Sequence, residues 1–223
     1  MLKKRVIPVL LLKNGRMVKG KNFGNYIDTG DPNKAVDIYS SQDADELIFI
    51  NISKDIISKK KFLEILNRAS KECSMPLCAG GGVTNPSDVK ELLELGADKV
   101  LLNSILTEKI DIIKDISKKF GAQCIVAGVD YKVSKENQQI EVWSECGRVL
   151  TKCNFYDHIE KITKLGVGEI FLNSIDNDGL MKGYDLKISK IVSEKYSVPL
   201  IVSGGAGNFK DLINLFAETQ ASA

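Results

Sequence analysis

Short apolar runs alternate along this chain with longer stretches whose apolar residues recur every three or four positions. The runs at 6–12, 46–52, 76–79, 99–102, 123–130, 169–173 and 200–202 are mostly apolar. That is how strands buried on both faces read. Between them, Val89, Leu92 and Leu93, then Ile112, Ile113, Ile116 and Phe120, fall on single helical faces. Asp31 before Pro32 and Asn85 before Pro86 each offer an N-cap followed by proline at the first helical position, where its missing N–H costs nothing. The alternation predicts repeated βα units and a parallel sheet. The segment 131–150 is polar and strand-like only at 140–143, which predicts a hairpin excursion after the fifth strand.

The pattern repeats at half length. Glu46 and Glu169 lie 123 positions apart, as do Pro76 and Pro199, Gly81 and Gly204, and Gly82 and Gly205. A constant offset over three motifs predicts a (β/α)8 TIM barrel built from two half-barrels, about 1–122 and 123–223, forming a single domain. Only seven such strands can be read, and the mate of Lys99 would fall near 222, so the expectation is a barrel truncated before strand eight and its helix.

Composition narrows the function. The chain has 223 residues, 43% hydrophobic, with a formal net charge of only +2 and no concentrated basic stripe, which argues against nucleic-acid and membrane partners. The basic run Lys59–Lys61 reads as the solvated first turn of a helix. Cys73, Cys78, Cys124, Cys146 and Cys153 are scattered and never spaced C-x-x-C, so neither a disulfide framework nor a metal site is expected. The apolar start is broken by Pro8 and lacks a small-residue cleavage site, and a cytoplasmic location follows as the expectation.

Function in such barrels gathers at the C-terminal ends of the strands. Glycine clusters at 80–82 and 204–207 each follow a strand and precede a helix, a setting in which backbone N–H groups can approach an anion. Found twice, they suggest a ligand phosphorylated at both ends. Asp130 closes the fifth strand, where alternation turns it toward the barrel mouth. Ring chemistry normally needs a second proton-transfer group, and strand one should supply it. Its end reads Leu10, Leu11, Leu12. Leucine cannot move a proton. At the opposite strand ends stand Arg5, Glu46, Lys99 and Glu169, two of each sign, able to pair with one another around an entrance. The lone His158, among Tyr156, Asp157 and Glu160, reads as a surface residue with no catalytic part.

The motifs Arg5-Val6-Ile7-Pro8, Gly96-Ala97-Asp98-Lys99-Val100, Asp176-Asn177-Asp178-Gly179 and Ser203-Gly204-Gly205-Ala206-Gly207-Asn208 resemble the cyclase subunit of imidazole glycerol phosphate synthase. The resemblance covers the whole chain. It implies a barrel that needs no cofactor, takes ammonia from a glutaminase partner through its core, and delivers it to a bis-phosphorylated ribulosyl substrate. It further implies that Arg5, Glu46, Lys99 and Glu169 gate the ammonia entrance and that Asp98 contacts the glutaminase. Gly82, Asn103 and Ser104 would hold one phosphate, and Asp178, Gly179 and Gly205 the other. Lys19 would lie on a mobile substrate loop, and Asp130 would be one of two catalytic aspartates. Leu11 stands where the second is expected. Asn173 and Leu180 replace threonines, and Asn14 an aspartate. An intact ammonia side with an altered top is similar to a paralogous branch that works with a glutaminase and a separate sugar amidotransferase to make acetamidino sugars of surface polysaccharide. The alternatives are an authentic histidine-pathway cyclase and a non-catalytic scaffold for the glutaminase.

Overall fold

The computed structural model describes residues 3–223. Its elements run β1 (Val9–Lys13), β2 (Arg16–Lys21), β3 (Gly24–Gly30), α1 (Pro32–Ser41), β4 (Leu47–Asn51), α2 (Ile56–Glu72), β5 (Leu77–Gly80), α3 (Pro86–Glu94) and β6 (Lys99–Leu102). They continue with α4 (Ser104–Glu108), α5 (Ile112–Phe120), β7 (Ile125–Val133), β8 (Ile140–Ser144), β9 (Val149–Asn154), α6 (Phe155–Leu165), β10 (Glu169–Ser174), α7 (Leu186–Lys195), β11 (Leu200–Ser203) and α8 (Phe209–Glu218). Parallel strands alternate with helices, an α/β architecture consistent with a TIM barrel. The residues cluster into two compact units. The first holds Arg5–Lys19 and Tyr26–Leu102; the second holds Gly20–Asn25 and Asn103–Ala223 with residues 3 and 4.

In the first unit β1, β4, β5 and β6 pair in parallel. Leu47, Phe49, Leu77 and Ala79 are fully buried, as the unbroken apolar runs require. Asp31 caps α1 by accepting from the Asn33 N–H, and Asn85 caps α3 by accepting from Ser87 and Asp88, each followed by the expected proline. Lys59, in the expected solvated first turn of α2, also pairs with Asp88 at 3.0 Å and Glu91 at 3.2 Å on α3. Sequence reading missed β2 and β3 altogether. Lys19, expected on a mobile loop, is an exposed residue of β2.

In the second unit β7, β10 and β11 pair in parallel, and β8 and β9 add an antiparallel ribbon to β7 where the hairpin excursion was expected. The last residues pair with β11: Ser222 donates to the Leu200 carbonyl at 2.8 Å and Val202 donates to that of Ala223 at 3.0 Å. Position 222, where the mate of Lys99 was expected, thus lies along the edge of β11. His158 is corrected too. On α6 it is 4% exposed, because the apolar face carrying Phe155, Ile159 and Ile162 also takes position 158 inward.

The offset of 123 recurs in the hydrogen bonds. Leu47 donates to Pro76 at 3.0 Å in the first unit, and Ile170 to Pro199 at 2.9 Å in the second. Asp88 accepts from the Thr84 N–H at 2.9 Å, and Asp211 from that of Gly207 at 2.8 Å. Each carboxylate closes the turn between a strand end and its helix.

Candidate functional site

Strand periodicity places the sequence-selected residues on common faces within each unit. In the first unit Val9, Ile48, Cys78 and Lys99 lie in one register row, and Leu11, Ile50, Gly80 and Leu101 in the next toward the strand ends. The upper row holds no ionisable group. Leu11, half-buried, pairs with Ile50 where a proton-transfer group was sought. Below the rows, Glu46 Oε2 binds Arg5 Nη1 at 2.9 Å and Lys99 Nζ at 2.7 Å. Glu46 is 2% exposed, and two cations on one oxygen compensate its desolvation. Three of the four gate candidates therefore meet. Asp98, exposed beside them, accepts the Leu77 N–H at 2.8 Å.

In the second unit Glu169 opens β10 in register with Val126, followed by the row Gly128, Phe171, Ile201 and then Asp130, Asn173, Ser203. Charge at the strand start and polar groups at the strand end thus share one face. Asp130 is buried. Burial pushes its carboxyl up to about 7, with Asp178 adding to the rise, against the opposing effect of side-chain hydrogen bonds from Asn173 and Asn103. A carboxyl that exchanges its proton near neutrality suits general acid–base work. Burial also raises the half-buried Asp178, whose Oδ2 accepts from the Phe23 N–H at 3.3 Å. Asn22 reinforces that contact, its Nδ2 donating to the carbonyls of Ile175 at 2.9 Å and Asp176 at 2.7 Å. Sequence reasoning singled out neither Asn22 nor Phe23; their left-handed backbone, with φ of 51° and 60°, is a turn signal legible for Asn alone.

The glycines divide. Gly82 has φ of 73° with nothing near where a Cβ would project, so its backbone is open to a ligand. At Gly205, φ of 111°, a Cβ would run into the Gly183 carbonyl oxygen, so packing alone demands glycine there. A Cβ at Gly179 would likewise meet Gly20. Gly207 and Asn208 spend their N–H groups on Asp211 at 2.8 and 3.0 Å. Ser104 Oγ accepts from the Glu145 N–H at 3.0 Å, while Asn103 turns its side chain to Asp130. Among the described residues no cluster of His, Cys, Asp and Glu could hold a metal ion, and no helix is long and apolar enough to cross a membrane.

Residues 5–223 match the family described as histidine biosynthesis protein. The chain belongs to that family. A Lactococcus lactis subsp. cremoris relative named imidazole glycerol phosphate synthase subunit HisF is 40% identical over 223 residues, which is 100% of this chain and 86% of the relative. The HisF subunit of Prochlorococcus marinus is 41% identical over 220 residues, covering 98% of this chain and 86% of its own length. That of Dehalococcoides mccartyi is 42% identical over 223 residues, covering 100% and 87%.

Proposed function

We propose that this chain is a HisF-like, ammonia-accepting subunit of a glutamine amidotransferase complex whose nitrogen acceptor differs from that of the histidine-pathway cyclase. One observation carries the reading: a lone carboxylate, Asp130, ends the strand rows, and the matching row of the first unit is Leu11, Ile50, Gly80 and Leu101. The glutaminase docks at the strand-start end, against Asp98 and the Arg5–Glu46–Lys99 cluster. Neutral ammonia passes that cluster and enters the apolar rows, and Glu169 holds the corresponding strand-start place in the second unit. Phosphate groups of the acceptor are held by backbone N–H groups at Gly82, by Asn103 and Ser104, and at Gly179 and Gly205. Lys19 closes over the acceptor. As ammonia adds to an electrophilic carbonyl carbon, Asp130 moves one N–H proton to the oxygen to give a tetrahedral adduct, then a second, so that the oxygen leaves as water while the C=N bond forms. A sugar acetamido group, converted together with a separate sugar amidotransferase, is an acceptor that fits this one-carboxylate chemistry.

A second reading, the authentic cyclase producing imidazole glycerol phosphate and aminoimidazole carboxamide ribotide, draws on the relatives' names at about 40% identity. Ammonium-dependent turnover of the bis-phosphorylated ribulosyl substrate separates the two. The first reading expects rates about 10²–10⁴-fold below a two-aspartate relative, the range one acid–base group contributes, together with stimulation of a partner glutaminase. Turnover within about tenfold of that relative establishes the second reading instead. Glutaminase binding without stimulation or turnover leaves a scaffold.

A further inference from the structure

Asn173 is 8% exposed and stands between Asp130 and Ser203 in the top row of the second unit. It stands in register with Asp130, and its amide favours the ionised form of that carboxyl. Its Oδ1 is buried and has no hydrogen-bond partner. Most buried amide oxygens in folded proteins are paired, and leaving one bare is costly. The neighbouring Gly204 adds no side chain against it, since a Cβ there would sit 3.3 Å from it. We infer that Asn173 Oδ1 accepts an N–H of the incoming ammonia, holding it beside Asp130. The inference rests on the reading above and names the group that positions its nucleophile.

The chemistry of the oxygen selects the ligand. A carbonyl acceptor repels phosphate and carbonyl oxygens and takes only a donor. Ammonia is small and carries three N–H groups. One N–H on Asn173 and a second on the Asp130 carboxylate leave its lone pair turned away from both, toward the carbon it attacks. Asp130 is then already hydrogen-bonded to the nitrogen whose proton it removes. A threonine at this position, as the family resemblance implies for relatives, would offer a hydroxyl oxygen for the same contact.

The test compares Asn173→Thr with Asn173→Val, side chains of equal shape that differ in the acceptor oxygen. The full chain is labelled with 13C-aspartate, and the Asp130 carboxyl resonance, assigned with Asp130→Asn, is followed as ammonium chloride replaces sodium chloride at about pH 8.5, where that carboxyl is ionised. Melting curves establish that both variants fold. A pH titration of each variant separates altered Asp130 acidity from altered ammonium affinity. The parent and N173T should show a saturable shift, and N173V should bind at least about tenfold more weakly. Equal affinity in all three overturns the inference while leaving the ammonia reading in place. No saturable response in the parent defeats that reading, and the inference with it.

Discussion

Replacing Asp130 with asparagine should stabilise the protein above neutral pH while removing its proton-transfer group. The carboxyl is buried beneath Asn103 and Asn173 and holds its proton up to about pH 7. In the unfolded chain it ionises near the ordinary aspartate value of about 3.9. Between those values the folded state binds the extra proton, so this group's contribution to stability is complete below about pH 3.9 and is lost as pH rises through 7. About three pH units at roughly 1.4 kcal/mol each give an upper bound of about 4 kcal/mol lost by pH 8. Asparagine never ionises, and its amide can donate to the partnerless Asn173 Oδ1 while still accepting from Asn103. Allowing for local relaxation, D130N should exceed the parent by about 2–4 kcal/mol at pH 8 and by less than about 1 kcal/mol at pH 4. Urea denaturation of both proteins from pH 4 to 8.5 measures the difference. A gap independent of pH, or a variant less stable at pH 8, would refute the argument that burial of Asp130 stores this energy.

The same experiment on His158 runs with the opposite slope. Burial, with Lys161 adding, pushes its imidazole down to about 4, so the unfolded chain takes the proton first, and stability is lost as pH falls from about 6.5 toward 4. His158→Leu should remove up to about 3 kcal/mol of that acid-side loss, and parallel curves for parent and variant would count against it. Glu46→Ala should destabilise by about 3 kcal/mol, the low end for a broken buried pair, since the Arg5 and Lys99 side chains keep 21% and 19% exposure. A melt within about 0.5 kcal/mol of the parent would mean that the cluster is screened like a surface pair. Gly205→Ala should cost at least about 3 kcal/mol, because its Cβ strikes the Gly183 carbonyl, whereas Gly82→Ala meets open space and should cost only about 1–2 kcal/mol of backbone strain. Equal losses would show that the second cluster yields to a side chain as easily as the first.

Periodicity carries far in this chain because most strands are buried on both faces and their helices on one. A run such as Leu47–Asn51 can belong only to a core strand, and Ile112, Ile113 and Ile116 can bury only one helical face. The hairpin of β2 and β3 escaped because its residues, from Arg16 to Gly30, are largely exposed, so no alternation of apolar positions marks it. Its tip is set by Asn22 meeting Ile175 and Asp176, contacts some 150 positions away in sequence that no local signal encodes. His158 escaped for a different reason. Its polar neighbours Asp157 and Glu160 describe the outer face of α6, while the imidazole sits on the inner one with Ile159 and Ile162.

At the site, matching the two half-barrels set Asp130 of β7 against Leu11 of β1, although both lie inside their strands, which run on to Val133 and Lys13. It could not separate the two kinds of glycine, since Gly82 and Gly205 are the same letter 123 positions apart, and only the chain packed behind each distinguishes an opening from a filled turn. Nor could it weigh Asn173, which in sequence is merely a departure from threonine. Burial changes its meaning: an amide set beside Asp130 with a bare oxygen is a half-finished network. Half-finished networks are expensive to fold and persist where a ligand completes them. If that ligand is ammonia, the energy held in Asp130 and the unpaired oxygen of Asn173 are parts of one arrangement. Stabilising either by substitution should then weaken capture of the nucleophile.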